Sequence, residues 1–302
     1  MARRLTIVGF LSPLLLGFAL FFVYPLCATV LYSFEHYDQI NPAEWVGLQN
    51  WSYVFTQNGD FWPAVRNTVW LVVVMVSLRV VFGIGVGLLV TSVRRGRGIY
   101  RTIFYLPYLA PPVASTLVFV FLLNPNGPLD RVLRAVGLPA PSWFNDPAWS
   151  KPALVLLSLW GIGDLMVIFM AALLDVPVEQ YEAAQLDGAG AIRRFRYITL
   201  PNIQPIILFS AVTGVIAALQ YYTQAFVAGQ VASGVVTGGG TVVEPGYPNG
   251  STLTLPQLIY SLGFQHFDTG AASVIAVVLF VVAMACTVGL VRGSGGLVST
   301  RR

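Results

Sequence analysis

Two ionisable side chains lie inside long apolar stretches of this 302-residue sequence: Arg79 in VVVMVSLRVVFGIG and Asp164 in LWGIGDLMVIF. A charge in such surroundings is costly unless it faces a cavity or a partner of opposite charge. Arg79 follows Arg66 by 13 residues, and Asp164 follows Lys151 by 13. At a helical rise of about 1.5 Å per residue, the two side chains reach a similar depth. We therefore predict an Arg79–Asp164 ion pair, which either supports a helix bundle or borders a polar path through it.

A second polar group occurs in the stretch ALQYYTQAF, which contains Gln220, Tyr221, Tyr222 and Gln224. Aromatic faces stack on sugar rings and amides hydrogen-bond to hydroxyls, so this group favours polyol binding. On a continuous helix, positions 220 and 224 share a face and position 221 points elsewhere. The alternative is that these side chains bind another helix at a subunit interface. Asn67 is a further candidate for the same polar path.

The composition indicates a polytopic membrane protein. Hydrophobic residues make up 56% and charged residues 10% of the chain, against roughly 25% charged in soluble domains. Cys27 and Cys286 both lie in apolar runs and provide neither a disulfide framework nor a metal site. The two histidines, His36 and His266, complete no metal-ligand cluster. The net charge is +4, and the positions of the basic residues indicate membrane orientation rather than a nucleic-acid partner.

Apolar runs of about 20 residues or more predict six membrane spans: residues 5–32, 67–93, 102–123, 152–174, 202–228 and 271–291. The first run exceeds the ~7–15 residues of a signal-peptide core, so we expect an uncleaved span. Three prolines, Pro107, Pro111 and Pro112, predict a kink in the third span. Gly83 and Gly87 form a GxxxG motif, which we expect to pack locally within this subunit. The predicted fold class is all-α.

Arginines mark one side of the predicted membrane. They precede the first span, follow the last, and occupy the connections between spans 2 and 3 and between spans 4 and 5. Positively charged loops are cytoplasmic, so we expect both termini inside the cell. The opposite loops, 33–66 and 229–270, are poor in basic residues; the second is long enough to be functional, although a simple connector is the alternative. The basic residues are Arg3, Arg4, Arg94, Arg95, Arg97, Arg101, Arg193, Arg194, Arg196, Arg292, Arg301 and Arg302.

One polar segment, EAAQLDGAGAIRRFRYITLP at residues 182–201, separates two apolar spans on the cytoplasmic side. VEQYEAAQL predicts a short helix that begins after Pro177, and the Asp187-Gly188 pair predicts a turn. AIRRFRYI predicts a second, amphipathic helix with Ile192, Phe195 and Ile198 opposite the arginines. A helix lying on lipid headgroups would explain the arginines but not the small-residue helix and the turn. We therefore predict a knob that enters a cleft on a partner protein.

This segment resembles the EAA motif of permease subunits of ATP-binding-cassette importers. WVGLQNWSYVF, FWPAVRNTVWLVVV, RTIFYLPYLAPPVAS, TGGG, LPQLIYSLGF and DTGAAS resemble parts of the carbohydrate branch, over about residues 12–290. The start of the chain resembles the "first" permease of maltose, lactose and glycerol-3-phosphate systems. The positions that match the EAA motif are Glu182, Ala183, Ala184, Asp187, Gly188, Ala189, Phe195, Ile198, Leu200 and Pro201.

The resemblance implies a single permease domain over residues 1–302 with the type I importer fold, in the bacterial cell membrane. It implies that residues 176–200 form a coupling loop that docks on a cytoplasmic ATPase. Two ATPase copies would bind ATP and Mg²⁺, and their closure would convert a permease pair from inward-open to outward-open. The other implied partners are a second, related permease and an extracytoplasmic solute-binding protein. Sugars, oligosaccharides, amino sugars and glycerophosphodiesters all remain open as substrates.

No nucleotide site is expected in this chain itself. A phosphate-binding loop needs the pattern GxxxxGK[ST], and the single lysine, Lys151, is followed by Pro152. We therefore expect no cofactor bound by this chain and no enzymatic activity of its own. An ion-coupled secondary carrier, with Arg79–Asp164 as the coupling pair, is the alternative function. A membrane scaffold is a third, which the charges within the spans disfavour.

Overall fold

The computed structural model describes residues 2–93, 95–234 and 244–298. Three groups of residues used above lie outside this description: Arg94, the TGGG sequence at 237–240, and Arg301 with Arg302. The described chain is almost entirely helical, and its two short strands pair with each other. The all-α prediction is therefore confirmed.

The helices follow one another with short connections. Three of the boundaries contain π-helical turns, at Ala19–Val23, Tyr53–Gln57 and Phe195–Thr199, and another such turn spans Ser261–Gln265. The elements are α1 (Ala2–Phe18), α2 (Tyr24–Tyr32), β1 (Glu35–His36), β2 (Glu44–Trp45), α3 (Gln49–Ser52), α4 (Phe61–Ser92), α5 (Arg97–Tyr105), α6 (Pro112–Leu123), α7 (Pro128–Ala135), α8 (Pro147–Trp160), α9 (Gly163–Leu174), α10 (Val178–Leu186), α11 (Ala191–Arg194), α12 (Leu200–Leu219), α13 (Thr223–Ala232), α14 (Leu255–Tyr260) and α15 (Thr269–Val298).

Four helical segments of the described chain are long and apolar enough to cross a membrane without interruption: Phe10–Tyr32, Phe61–Ser92, Ala191–Leu219 and Thr269–Gly293. Two further pairs qualify when each is counted as one bent span. They are Arg97–Leu109 with Pro112–Ala135, bent by 99°, and Pro147–Trp160 with Gly163–Leu174, bent by 51°. These segments correspond to the six predicted spans.

The bend in the third span confirms the effect expected of its prolines. Ala110 and Pro111 both precede a proline and both adopt extended ψ angles, 137° and 136°. A residue before proline is driven out of the helical region by contact with the proline ring. The second bend, at Gly161 and Ile162 in the fourth span, was not predicted. The fifth predicted span, 202–228, was wrong as a continuous helix, because α12 ends at Leu219 and α13 begins at Thr223.

The chain divides into two compact units. The first contains residues up to Trp62 together with Leu255–Val281. Within it, β1 pairs antiparallel with β2, and the amide of Asn50 donates to the carbonyls of Ser33 and Glu35 at 3.3 and 2.8 Å. A Cβ at Gly270 would lie 2.5 Å from the Glu35 carbonyl oxygen. The start of α15 therefore fits against this loop only with glycine at that position.

A tight turn at Asp38 belongs to the same unit. The backbone N–H groups of Asn41 and Ile40 donate to Asp38 Oδ1 at 2.7 and 3.0 Å, and the Asn41 side chain donates to Oδ2. These hydrogen bonds favour the ionised carboxylate and lower the pKa of Asp38 to about 2. Asp38 is therefore charged at any physiological pH.

The second unit contains Pro63–Thr254 and the chain from Val282 onward. Its buried apolar side chains form clusters between α4, α8, α9, α12 and α13. Phe169 and Ile203 lie at the centre of one cluster, and Leu71 and Leu154 lie in another. All of the candidate site residues predicted from the sequence are in this unit.

Candidate functional site

Two glycines bring α4 close to α9. A Cβ at Gly83 would lie 3.0 Å from the Cβ of Leu165, and one at Gly87 would lie 3.3 Å from the backbone nitrogen of Met170. The absence of side chains at these positions lets the two helices approach closely. The GxxxG motif therefore packs within this subunit, as predicted. Arg79, one turn before Gly83, is carried to the N-terminal end of α9.

Arg79 and Asp164 form the predicted ion pair. The Arg79 Nη2 atom lies 3.0 Å from Asp164 Oδ1 and 3.1 Å from Oδ2. Nη1 lies 3.5 Å from the carbonyl oxygen of Ser158. Each side chain of the pair is 27% exposed, so the pair is partly desolvated but not sealed in the core. Removal of either charge would leave the other one partly buried and unpaired, which would destabilise the protein.

A third glycine sets the position of Asp164. A Cβ at Gly163 would lie 2.6 Å from the carbonyl oxygen of Phe104 and 2.7 Å from the Cα of Tyr105. Both contacts are to the backbone of α5, which cannot turn aside as a side chain can. Gly163 therefore allows the end of α5 to lie directly against the start of α9, next to the aspartate.

The ion pair lines a cavity of about 550 Å³, a volume suited to a small ligand. Among the predicted residues, the cavity brings together Arg79, Asp164, Gln220, Tyr221 and Gln224. Polar side chains from other helices complete the wall: Tyr108, Ser158, Ser210, Thr213 and Thr223. The cavity therefore brings several polar side chains together within a wall that is otherwise apolar.

Two buried hydroxyls in the cavity wall have no hydrogen-bond partner in the described structure: the Tyr221 phenol and Ser210 Oγ. Tyr221 is 9% exposed and Ser210 is 1% exposed. A buried polar group without a partner costs free energy, on the order of 1–3 kcal/mol. Both oxygens are sealed from the cavity in this structure, so only a shift of the wall would bring them to a ligand.

The helix break at residues 220–222 gives the cavity its shape. Helix α12 ends at Leu219, and the carbonyl of Tyr221 accepts a hydrogen bond from Thr254 Oγ1 at 3.1 Å. This carbonyl is thus bound by a residue from a distant loop. Position 221 was expected to point away from 220 and 224 on a continuous helix, but the helix is broken there and all three residues border the cavity. Tyr221 packs in the buried cluster that contains Leu71 and Leu154, whereas Gln220 is exposed.

Two predicted site residues do not line the cavity. Tyr222 stacks on Phe226, with ring centroids 5.2 Å apart. Asn67 Nδ2 donates to the carbonyls of Gly250 and Leu253, at 2.9 and 3.1 Å. The contacts of Asn67 are those of an anchor for a loop.

The segment at 176–200 has the predicted form of two short helices about a turn. Helix α10 ends at Leu186 and α11 begins at Ala191. Between them, Gly188 has a φ of +75°, a conformation that favours glycine. Glu182, Ala183, Ala184 and Asp187 belong to α10 and its C-terminal end, and Ala189 follows the turn.

The far side of this segment is anchored in the second unit. Phe195 and Ile198 pack against a buried cluster that includes Ile84, Phe169 and Ile203. Ile192 is 84% exposed, so the prediction that it shares one apolar helix face with Phe195 and Ile198 was wrong. Helix α11 stops at Arg194 and a π-helical turn follows, which changes the register between Ile192 and the anchored residues.

The exposed side of the segment carries apolar side chains. Leu186 is 90% exposed at the end of α10, beside the Gly188 turn. Helix α10 itself presents the small side chains of Ala183 and Ala184. Exposed apolar groups around small residues are typical of a surface that binds another protein.

Sequence reasoning missed five polar residues of the cavity wall: Tyr108, Ser158, Ser210, Thr213 and Thr223. The hydroxyls of Ser158 and Thr213 bond to carbonyls of their own helices, at 2.7 and 2.9 Å, as such residues do in apolar helices. No local sequence pattern distinguishes Ser210, whose hydroxyl has no partner in the described structure, from Ser158 and Thr213. Among the described residues, no group of three or more His, Cys, Asp and Glu side chains could hold a metal ion.

Comparison with known proteins agrees with this arrangement. The family described as "Binding-protein-dependent transport system inner membrane component" matches residues 79–293. A probable ABC transporter permease protein, YesP of Bacillus subtilis, is 32% identical over 91% of this chain and 85% of its own length. The sulfoquinovosyl glycerol transport system permease protein SmoG of Agrobacterium fabrum is 31% identical over 94% of this chain and 88% of its own.

A solved structure has the same fold. A chain of a bacterial alginate ABC transporter, in complex with an alginate pentasaccharide-bound periplasmic protein, superposes with a TM-score of 0.81 at 22% identity. The match covers 98% of this chain and 96% of that one. The family match favours a binding-protein-dependent importer over an ion-coupled carrier. This chain belongs to the binding-protein-dependent transport system inner membrane component family, as a multi-pass inner-membrane permease subunit with the type I importer fold.

Proposed function

We propose that this chain is the permease subunit of an ATP-driven importer whose substrate is a sugar or a related polyol. The observation that carries the proposal is the cavity between α4, α9 and α12, whose wall includes the polar side chains of Arg79, Asp164, Gln220 and Gln224. Two further similar proteins, the permeases AraP of Halalkalibacterium halodurans and NgcF of Streptomyces coelicolor, have names that refer to arabinooligosaccharides and to diacetylchitobiose, which supports a carbohydrate.

The wall chemistry suits a hydroxylated ligand. Each sugar hydroxyl both donates and accepts a hydrogen bond, and the wall offers amides at Gln220 and Gln224. The exposed ring of Tyr108 offers an apolar face to the C–H side of a pyranose. A bound sugar would therefore replace the hydrogen bonds that water makes with these groups.

Coupling to ATP takes place at the α10–α11 segment in this proposal. The exposed Leu186 and the small Ala183 and Ala184 enter a groove on a separate ATPase subunit, which supplies the ATP and Mg²⁺ sites. Phe195 and Ile198 anchor the segment to the helix bundle, and the π-helical turn at Phe195–Thr199 runs directly into α12. A displacement of the segment is thus passed to α12, whose residues Ser210 and Thr213 line the cavity.

The complete importer contains a second, related permease, two ATPase copies and an extracytoplasmic solute-binding protein. ATPase closure converts the permease pair from inward-open to outward-open. The binding protein delivers the sugar to the outward-open state, and reopening of the ATPases releases it to the cytoplasm. This chain binds no nucleotide in that cycle and performs no chemical step itself.

A pull-down tests the coupling assignment. The tagged chain, extracted from native membranes in a mild detergent, is expected to carry with it an ATPase and a second permease. Leu186→Asp places a charge at the centre of the docking surface and should release the ATPase while retaining the permease. Leu138→Asp, at an exposed apolar position outside this segment, is the matched control and should retain both. Recovery of the wild-type chain alone would contradict the proposal.

Reconstitution tests the substrate class. The purified complex in liposomes, supplied with its binding protein, is expected to hydrolyse ATP faster when a mixture of sugars is added. An amino-acid or peptide mixture should leave the rate unchanged. Stimulation by peptides and not by sugars would show that the coupling assignment holds but the carbohydrate assignment does not.

A further inference from the structure

We propose that the substrate of this cavity is an uncharged saccharide, because Arg79 and Asp164, the ionised side chains of its described wall, cancel each other's charge. This inference rests on the sugar-import function proposed above and narrows it to one class. It predicts that neutral sugars are bound. It excludes anionic sugars, which are uronic, sulfonated or phosphorylated, and it also excludes cationic amino sugars.

The first argument is the charge of the cavity. Among the described residues that line it, Arg79 and Asp164 are the ionised ones. Both oxygens of Asp164 lie within 3.1 Å of one guanidinium nitrogen, so the two charges cancel where a ligand would lie. Transfer of a charged group from water to such a site is costly unless an opposite charge meets it there. The part of the wall formed by the described residues of this chain has no unpaired charge to offer.

The second argument is the hydrogen-bonding capacity of the pair. Arginine has five N–H donors, and contacts to Asp164 and Ser158 occupy only part of them. The carboxylate retains lone pairs beyond those that face Nη2. Because each side chain is 27% exposed, a vicinal diol can accept from Arg79 and donate to Asp164 at once. A neutral sugar thus binds the pair without separating it.

A charged sugar would have to compete with the pair. A carboxylate beside Arg79 would lie close to Asp164 as well, and two carboxylates at one guanidinium repel each other. An ammonium group beside Asp164 would meet Arg79 in the same way. In either case the ligand must displace Arg79 or Asp164 from the pair, and the displaced side chain is then a charge without a partner in an apolar environment.

The cavity potential can be measured without knowing the sugar. The two native cysteines, Cys27 and Cys286, are replaced by serine, and Thr213→Cys places one thiol in the wall. The complex is then treated with an anionic reagent, 2-sulfonatoethyl methanethiosulfonate, and separately with a cationic one, 2-trimethylammonium-ethyl methanethiosulfonate. The rate at which each reagent modifies the thiol is divided by its rate with 2-mercaptoethanol. We expect the two normalised rates to agree within about threefold for a neutral cavity.

Removal of one charge should then shift the charge ratio, which is the normalised rate of the anionic reagent divided by that of the cationic reagent. Asp164→Asn leaves Arg79 unpaired and should favour the anionic reagent by roughly tenfold or more. Glu244→Gln removes the same charge at an exposed position outside the cavity and should leave the ratio unchanged. If Asp164→Asn fails to fold, the double variant Arg79→Gln/Asp164→Asn keeps the cavity neutral and should keep the wild-type ratio.

Three results would overturn the inference: a strong preference of the unaltered cavity for either charged reagent, equal shifts from Asp164→Asn and Glu244→Gln, or a thiol at 213 that no reagent reaches. A sugar panel separates this failure from that of the proposed function. Without the binding protein, protection of the 213 thiol from the reagents by neutral sugars and not by uronates or amino sugars supports both proposals. Protection by uronates alone refutes the neutral-saccharide inference but keeps sugar import, and no sugar-stimulated ATP hydrolysis by the complete complex refutes sugar import.

Discussion

The phenolic oxygen of Tyr181 lies 2.8 Å from the hydroxyl of Thr199, and this hydrogen bond joins α10 to the π-helical turn that begins α12. A second bond lies beside it, in which Asn202 Nδ2 donates to Gln180 Oε1 at 2.8 Å. Helix α10, which carries the proposed docking surface, and the membrane helix α12 are thus connected by side chains as well as by the backbone. A force applied at α10 reaches α12 without first bending the Gly188 turn.

Loss of this connection should reduce the efficiency of transport more than ATP hydrolysis. Tyr181→Phe removes the hydroxyl, keeps the ring and costs about 1 kcal/mol of stability. We expect the number of sugars imported per ATP to fall, because α10 can then move without α12. The ratio is measured in proteoliposomes from simultaneous uptake and phosphate release. Tyr197→Phe, at an exposed tyrosine of the same turn, should leave the ratio unchanged; an equal fall in both variants would contradict the link.

The Arg79–Asp164 pair should behave as one unit in stability. Arg79→Gln or Asp164→Asn alone leaves a partly buried charge unpaired. Because both side chains are partly exposed, we expect a cost of about 2 kcal/mol rather than the 3–5 kcal/mol of a fully buried pair. The melting temperature of the purified complex, followed by tryptophan fluorescence, measures it. The swap Arg79→Asp with Asp164→Arg should recover much of the loss, and a swap as unstable as either single variant would contradict the pairing.

Gly163 should be less tolerant of substitution than other glycines in the membrane helices. In Gly163→Ala the new Cβ overlaps backbone atoms of Phe104 and Tyr105, so α5 and α9 must separate beside Asp164. We expect a lower melting temperature and a smaller yield of monodisperse protein. Gly85→Ala is the matched control, because no atom lies within 4 Å of its Cβ position. Alanine is favoured over glycine in a helix by up to about 1 kcal/mol, so this variant should be as stable as the wild type or more so.

Local patterns in the sequence were sufficient for the helices, for the GxxxG contact and for the two-helix form of the coupling segment. They were also sufficient for Arg79–Asp164, because two opposite charges at equal depth in apolar spans have few other partners. They could not place Tyr221, since the break at 220–222 involves Thr254, 33 residues away. Ile192 was misplaced for a similar reason: the π-helical turn after Arg194 shifts the helical register, and the spacing of apolar residues contains no sign of it.

The contacts of Asn67 predict a structural role that can be separated from substrate binding. Its amide donates to two carbonyls of the loop at 250–253 and its oxygen accepts from Lys151 Nζ at 3.1 Å. The Lys151 ammonium also lies over the ring of Trp70, at 5.4 Å. Asn67→Asp keeps an acceptor for Lys151 but loses both donors. The two loop carbonyls then lose their partner, at a cost of about 1–3 kcal/mol.

We therefore expect Asn67→Asp to lower the melting temperature and to increase proteolysis within residues 244–254. The charge ratio measured at Thr213→Cys should not change, although a new carboxylate has been added. Asn67→Gln is the companion variant: its amide keeps the donors on a longer side chain, and we expect it to restore part of the protection. A change in the charge ratio comparable to that of Asp164→Asn would instead place Asn67 on the substrate path, because only a carboxylate near the cavity can alter the potential there.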